Sequence, residues 1–347
     1  MGFHIIYSML NKAVINLNTL RKNARAVKSK LKKGVKLCAV VKADAYGHGA
    51  EVVCNSLYTL ADSFAVATVE EGVSLRLAGI DKPILVLIPP QKKDVERSVH
   101  YRLTNTVVGI EQIKMLSVVA KKQGVIADVH IKYNTGMNRQ GIDSLYSLKQ
   151  TVMVAERFDN VNIGGLYTHF AFPENKKSLN SAVNKFLLAN NFIKGYNNKV
   201  ICHASASGGF LAGVQFDQVR IGLLLYGYKP YESDYITVNP IMKVYAPVVY
   251  DRFLTEGDCA LYGDKSCDSD THIYLIRYGY ADGLFRKEVK GQYNCRCMDI
   301  TAVTELKNTK YGAVVMNNAD VIAKKYRTIS YEILTKCSLR AEKIYLY

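Results

Sequence analysis

Ala39-Val-Val-Lys-Ala-Asp-Ala-Tyr-Gly-His-Gly49 is the stretch on which the fold and the chemistry both turn. The run that leads into it, Leu37-Cys-Ala-Val-Val41, is short and continuously apolar, as a strand buried on both faces would be. The residues after Lys42 are polar and glycine-rich, so the strand is expected to stop and turn there. That puts Lys42 at a strand tip, its stem against a buried wall. Lost solvation favours the neutral form of a lysine so placed. A neutral amine can attack a carbonyl and form a Schiff base. Taken singly, a strand-end lysine more often just reaches solvent, so its neighbours must decide.

Working outward, the same grammar repeats. Asn11 to Asn16 reads as a short strand, and Asn18 as the cap of a helix from Thr19 towards Lys33, ended by Gly34. After the Lys42 strand, His48 to about Ala61 reads as a helix. Phe64-Ala-Val-Ala-Thr68, Ile84-Leu-Val-Leu-Ile88, Thr106-Val-Val108, Ile126 to Lys132, Val161 to Tyr167, Lys199 to Cys202 and Gln218 to Gly222 read as strands. Most are separated by helical patterns such as Glu70–Ala78, Gln112–Lys122, Leu145–Glu156 and Ser178–Gly195. About eight apolar strands alternating with helices suggest a (β/α)8 TIM barrel. A doubly wound open sheet is the competitor, but no Gly-x-Gly-x-x-Gly follows the first strand. Near Tyr231 the rhythm changes. Ile241–Tyr250, Thr271–Tyr278 and Met298–Leu306 are rich in Val, Ile, Thr and Tyr, and are punctuated by Gly257, Gly263, Gly279 and Gly283. Short helices are expected near 320–325 and 329–335. The expected organisation is therefore a barrel over 11–230 and a mostly-β C-terminal domain over 231–347, which the first ten residues could join.

Composition narrows the function classes. A chain of 347 residues with 49% hydrophobic content has room for a large core and two domains. The net charge of +16 would suit a nucleic-acid partner, but the lysines are scattered and no basic run interleaves with aromatics. A solvated basic surface is the simpler reading, with no nucleic acid and no membrane as partners. Eight cysteines lack regular spacing, and Cys295-Arg-Cys297 has no matching pair nearby, so neither a zinc site nor a disulfide framework is expected. Phe3 to Leu10 is too short and too lightly flanked for a signal peptide, and no run approaches membrane-spanning length. A cytoplasmic protein is the expectation.

Barrel enzymes work at the carboxyl ends of their strands. Reading those ends collects Lys42 and Tyr46, then Asn134-Thr-Gly-Met-Asn-Arg139, then His169, then His203-Ala-Ser205-Ala-Ser207-Gly-Gly, then Arg220-Ile-Gly222-Leu223. Each is weak alone. The serine-glycine run is more often a turn, His169 a structural histidine, and Arg139 and Arg220 members of ion pairs. The last two stretches suit phosphate, since small residues let backbone N–H groups approach an anion. A lysine, a phosphate cradle and two arginines on one rim would hold an aldehyde cofactor bearing a phosphate. That describes pyridoxal 5'-phosphate.

With these residues in view, the chain resembles the bacterial alanine racemases nearly end to end. Val41-Lys-Ala-Asp-Ala-Tyr-Gly-His-Gly49 is similar to that family's cofactor-lysine motif. Thr135-Gly-Met-Asn-Arg139, Thr168-His-Phe-Ala171, Arg220-Ile-Gly222 with Leu225-Tyr-Gly227, Gly279-Tyr-Ala-Asp-Gly283, Cys297-Met-Asp299 and Tyr331-Glu-Ile-Leu334 follow in order. The resemblance implies an enzyme that interconverts L- and D-alanine and supplies D-alanine for peptidoglycan. It implies that Lys42 carries the cofactor covalently and is the base for D-alanine. Tyr280, delivered by the second subunit of a homodimer, would be the base for L-alanine. His169 would contact that tyrosine and pass to Arg220, which would face the pyridine nitrogen. Tyr46, Ser205, Gly222, Leu223 and Tyr331 would surround the phosphate. Arg139 would approach the cofactor's phenolic oxygen and the substrate carboxylate, which the Met298 N–H would meet from the other subunit. Lys132 matches a lysine often carbamylated in the family.

Racemisation needs a base on each face of a planar carbon. Lysine and tyrosine have high intrinsic pKa values, so such a site must lower them to work near neutrality. Arg220, relayed through His169, is the lever the resemblance offers. An arginine facing the pyridine nitrogen keeps its own proton, which leaves that nitrogen unprotonated. Three positions depart from the family's pattern: Asn134 stands where Asp is usual, Ala204 before Ser205 where Asn is usual, and the stretch from Gly283 to Cys297 is short. They bear on substrate choice, and serine or another small amino acid is the alternative. A non-catalytic pyridoxal phosphate carrier would lack everything after Tyr231. A related barrel decarboxylase usually brings its own cysteine and glycine-rich phosphate motifs, and Gly279-Tyr-Ala-Asp-Gly283 fits racemases better.

Overall fold

The computed structural model describes residues 10–262, 266–286 and 296–347. Gly263, Cys295, the segment before Leu10 and residues 287–295 of the shortened loop lie outside them. Two compact units emerge. One comprises Leu20–Ala45 and Ala50–Asn239; the other comprises residues up to Thr19, Tyr46–Gly49 and Pro240–Tyr347.

The first unit is the barrel. Its strands are β2 (Lys36–Val40), β3 (Ser63–Val66), β4 (Ile84–Val86), β5 (Thr104–Val107), β6 (Ala127–Lys132), β7 (Val161–Tyr167), β8 (Ile201–His203) and β9 (Gln218–Ile221). They pair in sequence order, all parallel, and β9 closes onto β2 with Ala39 opposite Ile221. β3, β4, β5 and β9 are almost wholly buried; β3 and β4 read accordingly as apolar runs, whereas β5 and β9 bury polar side chains among their apolar ones. The helices between them bury one stripe each against this wall: Phe186, Ala189 and Ile193 do so from Lys176–Tyr196. Thr68 and Glu71 form a capping box on Val69–Leu77, and Gly124, in left-handed conformation, ends Ile110–Gln123. Lys92–His100 is a further helix that the sequence pattern did not separate from its loop. No helix among the described residues is long and apolar enough to cross a membrane.

The second unit holds two antiparallel-rich sheets. The larger contains β1 (Asn11–Asn16), β10 (Met242–Ala246), β14 (Asn308–Thr309), β15 (Gly312–Met316) and β16 (Ala341–Leu346), in the order β14-β15-β10-β1-β16. The smaller joins β11 (Val248–Leu254), β12 (Thr271–Ile276) and β13 (Thr301–Val303). Helices Ala319–Tyr326 and Ser330–Cys337 stand where short helices were expected.

One boundary moves. The strand at Asn11–Asn16 was expected at the start of the barrel domain. It pairs instead with β10, Lys12 opposite Tyr245, and in parallel with β16, Asn11 opposite Ala341. The borrowing of an N-terminal strand was anticipated in kind but falls on 11–16. A buried strand advertises its own burial, not its partner, and this partner is hundreds of residues away. Asn16, rather than Asn18, accepts the Thr19 N–H at 2.8 Å and so caps the helix Leu17–Ser29.

Candidate active site

The chain after Lys42 does not simply break. Lys42–Gly47 is a single helical turn in which Ala43, Asp44, Ala45 and Tyr46 have φ between +51° and +55°, the left-handed sense. That sense costs an L-residue roughly 1–2 kcal/mol each, so the turn needs holding. The Ala45 N–H bonds Val41 O at 2.8 Å. The Asp44 carboxylate accepts the Ala50 N–H at 2.7 Å, where the next helix begins. The Ala43 N–H donates to Glu71 Oε1 at 2.6 Å. Lys42 itself is half-buried. Burial first, and Arg139 second, push its pKa below the usual lysine range, while Glu71 pulls it up.

Around Lys42 the barrel gathers cations. Lys132, at the end of β6, is only 4% exposed. Burial, then Arg139, Arg220 and Lys42, bring its pKa down to about 7. The Lys132 amine and the Arg220 guanidinium both lie over the Tyr167 ring, at 5.4 and 5.0 Å. Burial and the charges of Arg220, Arg139, Lys132 and Lys42 press His169 down to about 3, so its imidazole is neutral. Thus Lys42, Lys132, Arg139, His169 and Arg220, each expected from sequence, share one electrostatic neighbourhood.

Arg220 is buried, and burial lowers its pKa to about 10, which leaves it charged. NH1 donates to His203 Nδ1 at 2.6 Å and His203 O at 3.1 Å, and NH2 to Thr168 O at 2.6 Å and Ala204 O at 3.0 Å. None of the four uses Nε. The imidazole bonded to Arg220 is therefore His203, not His169 as expected. An arginine cannot accept, so His203 Nδ1 must, which leaves its proton on Nε2. Nε2 faces His130 Nδ1 at 2.9 Å, and the same logic fixes His130 as the acceptor there. Burial, then Arg220, holds His130 down to about 4. His203 also stacks on Tyr167, with ring centroids 4.9 Å apart. His130 went unnoticed in the sequence, although its spacing from Lys132 puts both on one face of β6.

The serine-rich stretch sorts itself differently from the expectation. Ser205 Oγ donates to Val214 O at 2.6 Å and is packed beneath Gly209, where an added Cβ would meet it at 2.8 Å. Ser207 opens the helical turn Ser207–Leu211, and its Oγ accepts the Leu224 N–H at 3.4 Å. Gly222 and Leu223 begin a series of tight turns, their carbonyls accepting from the Leu225 and Tyr226 N–H groups at 2.8 and 3.1 Å. The first N–H groups of a helical turn have no acceptor within it. Ser207, Gly222 and Leu223 thus stand together at such turn starts, while Ser205 is a packing residue.

Asn134 proves well suited to its place. Its Oδ1 accepts the Gly136 and Asn138 N–H groups, each at 3.1 Å, and its Nδ2 donates to Asn138 Oδ1 at 2.9 Å and Asp143 Oδ1 at 2.7 Å. An aspartate could make the first pair of bonds but would meet the Asp143 carboxylate. The loop carrying Arg139 is ordered through the asparagine rather than weakened by it.

The second unit holds two further groups. Tyr46 is buried and its ring lies 5.7 Å from that of Tyr331. Burial raises both phenols, Tyr331 to about 12. Gly47, at φ +81°, allows the approach of Leu334 O and Ser338 Oγ, which a Cβ would meet at 2.6 and 2.5 Å. Elsewhere in the unit, Tyr280 and Met298 are exposed on adjoining turns. The Tyr280 N–H bonds Cys297 O at 3.2 Å and the Ala281 N–H bonds Met298 O at 3.0 Å. The approach is so close that a Cβ on Gly279 would lie 2.1 Å from Met298 O. Asp282 and Arg340 complete the clamp: Asp282 accepts the Gly279 N–H at 2.9 Å, and Arg340 lies 3.5 Å from Asp282 and 2.8 Å from Asp299.

Both units match known protein families. Residues 15–230 match the family model for the alanine racemase N-terminal domain, and residues 241–345 the one for the alanine racemase C-terminal domain. The alanine racemase of Treponema denticola is 35% identical over 288 residues, 79% of this chain and 76% of that one. The alanine racemase of Clostridium novyi is 32% identical over 372 residues, 96% of this chain and 95% of that one. Among solved structures, alanine racemase from Clostridium difficile 630 superposes with a TM-score of 0.90 at 29% identity, covering 98% of this chain and 96% of that chain. The parallel barrel, the mostly-β second unit and the two family matches together place this chain in the alanine racemase family.

Proposed function

We propose that the protein interconverts L- and D-alanine with pyridoxal 5'-phosphate, and that the D-alanine serves peptidoglycan synthesis. The observation that carries this reading is Lys42: an amine depressed by burial, on a barrel rim, in the company of Arg139, Lys132, His169 and the hydrogen-bonded Arg220. Bound there, the cofactor would supply the electron sink that makes the substrate's α-hydrogen acidic.

The residues present suit such a group. Lys42 would hold it covalently. NH1 and NH2 of Arg220 are committed to protein acceptors, which leaves Nε–H for the ring nitrogen. Ser207, with Gly222 and Leu223, takes the phosphate role in the barrel unit; Ser205, tied to Val214, does not. The same shift moves the position where the family usually has asparagine from Ala204 to Ala206. Tyr46 and Tyr331, the two tyrosines that the resemblance gives to the phosphate, lie against each other within the other unit. Arg139 and the Met298 N–H of a second subunit would receive the substrate carboxylate.

Inversion then needs a proton taken from one face and another returned to the opposite face. The Lys42 amine serves one face. The Tyr280 hydroxyl of a second subunit serves the other, so the active form is a homodimer. Lys132, with its pKa brought down to about 7, is neutral in a large fraction of molecules near neutrality; that amine can add carbon dioxide with loss of a proton, and the resulting carbamate anion would pair with Arg139.

The test is an absorbance spectrum of the purified protein with and without borohydride, followed by assay of L-alanine and L-serine. A cofactor trapped on Lys42 together with D-alanine formation is the expected result. Trapping elsewhere, or faster turnover of serine, would defeat the reading.

A further inference from the structure

We propose that Glu71 is a positioning residue for Lys42, its carboxylate clamping the left-handed turn and setting the charge balance at the amine. The inference deepens the reading of Lys42 as the cofactor lysine and rests on it. A capping box needs one carboxylate oxygen on the N-cap N–H. Glu71 does this through Oε2, which accepts the Thr68 N–H at 3.2 Å. The same oxygen also takes the Ala67 N–H at 2.6 Å, and Oε1 reaches across to the Ala43 N–H at 2.6 Å. One side chain thus ties the residue directly after Lys42 to the turn that follows β3. Ala43 is the first of four consecutive non-glycine residues in left-handed conformation. The bond to Glu71 stands where that strained run begins, one residue from the amine it has to aim.

Besides the clamp, Glu71 bears on the charge at the amine. Arg139, Lys132 and His169 face Lys42 from the loop after β6, from β6 itself and from the end of β7, and the first two are cations or become so below neutrality. Glu71 supplies the opposing anion. Burial and Arg139 ease the proton off the amine; Glu71 limits how far this goes.

Glu71→Gln tests both halves. An amide has one acceptor oxygen, so either the Ala43 bond or the cap must go. Two readouts on the whole protein separate the causes. Reductive methylation of Lys42 by formaldehyde and borohydride, followed across pH by peptide mass, reports the amine's titration. The amine nitrogen attacks the aldehyde, water leaves, and borohydride delivers hydride to the C=N carbon. Capture of pyridoxal 5'-phosphate on Lys42 under the same reductant reports placement. In Glu71→Gln the methylation midpoint should move to lower pH by about half a unit or more, because an anion that favoured the ammonium is gone. The limiting rate of cofactor capture at high pH should fall about tenfold. Glu71→Gln combined with Ala43→Gly should recover that rate to within about threefold, since glycine enters the left-handed turn without a clamp. The midpoint should stay low in this double variant. An unchanged midpoint in folded Glu71→Gln, or a capture rate that the glycine does not restore, overturns the proposal. Failure of the parent protein to capture the cofactor on Lys42 overturns the functional reading instead, while methylation still judges Glu71.

Discussion

The barrel rim and the turn that carries Tyr280 solve different problems. On the rim, polar groups are buried and crowded: Arg220 makes four hydrogen bonds, Lys132 is pushed down to about 7, and His169 to about 3. Around Tyr280 the side chain is exposed and the precision lies in the backbone, through Gly279 against Met298 O and through Asp282 and Arg340. One region tunes protonation by burial. The other places a hydroxyl on a hydrogen-bonded turn and leaves it accessible, as the proposed pairing with a second subunit would require. Chemistry and placement are thereby separable, and substitutions in the two regions should fail in different ways.

The largest expected effect breaks the rim. Lys42→Ala should lower racemisation by about three orders of magnitude or more, with no trapped cofactor peptide, because it would remove both the proposed attachment point and one of the two proposed bases. Tyr280→Phe should lower racemisation by roughly a thousandfold. It should still allow the α-hydrogen of D-alanine to exchange with deuterium, which proton NMR in heavy water would follow. If exchange stops as well, the two regions do not act on opposite faces. Arg220→Glu addresses the rim's second function. With the cation gone, transamination should rise relative to racemisation, measured as pyruvate formed per racemic turnover; unchanged partitioning would count against the arginine's role. Asn134→Asp sets a carboxylate against Asp143 and should loosen the Arg139 loop. A three- to tenfold rise in KM with little change in kcat is expected, about 1 kcal/mol.

The smallest effect is thermodynamic. Lys132 has a folded-state pKa of about 7, below its ordinary value of 10.5. Between these values the unfolded chain binds the extra proton, so stability contributed at this site rises with pH. Below about pH 7 both states are protonated and the penalty is complete. Lys132→Met should therefore raise Tm most below pH 7, and its advantage should shrink towards pH 9. An advantage that does not vary with pH would show that Lys132 is not held neutral by the rim.

Much of this was legible in the residues. Apolar runs marked several of the barrel strands because parallel strands bury both faces, the strand ends pointed to Lys42, Arg139, His169 and Arg220, and the family resemblance added Lys132. What stayed hidden was direction and partnership. Ser205 and Ser207 look alike in a row of small residues; only the fold turns one towards Val214 and the other towards Leu224. His169 was the natural partner for Arg220 on paper, yet β8 and β9 are neighbours in the barrel, with His203 opposite Gln218, and so His203 takes that place. His130 carries no mark of its own beyond its spacing from Lys132.

By itself the sequence determined the alternation of strands and helices, the change to a mostly-β second part and the chemistry of the strand tips, because burial period and residue type are local properties. The tertiary structure alone decided which sheet receives Asn11–Asn16, that the turn after Lys42 is left-handed and which imidazole meets Arg220. Those outcomes depend on groups far apart in the chain competing for the same hydrogen bonds, and no local pattern records which of them wins.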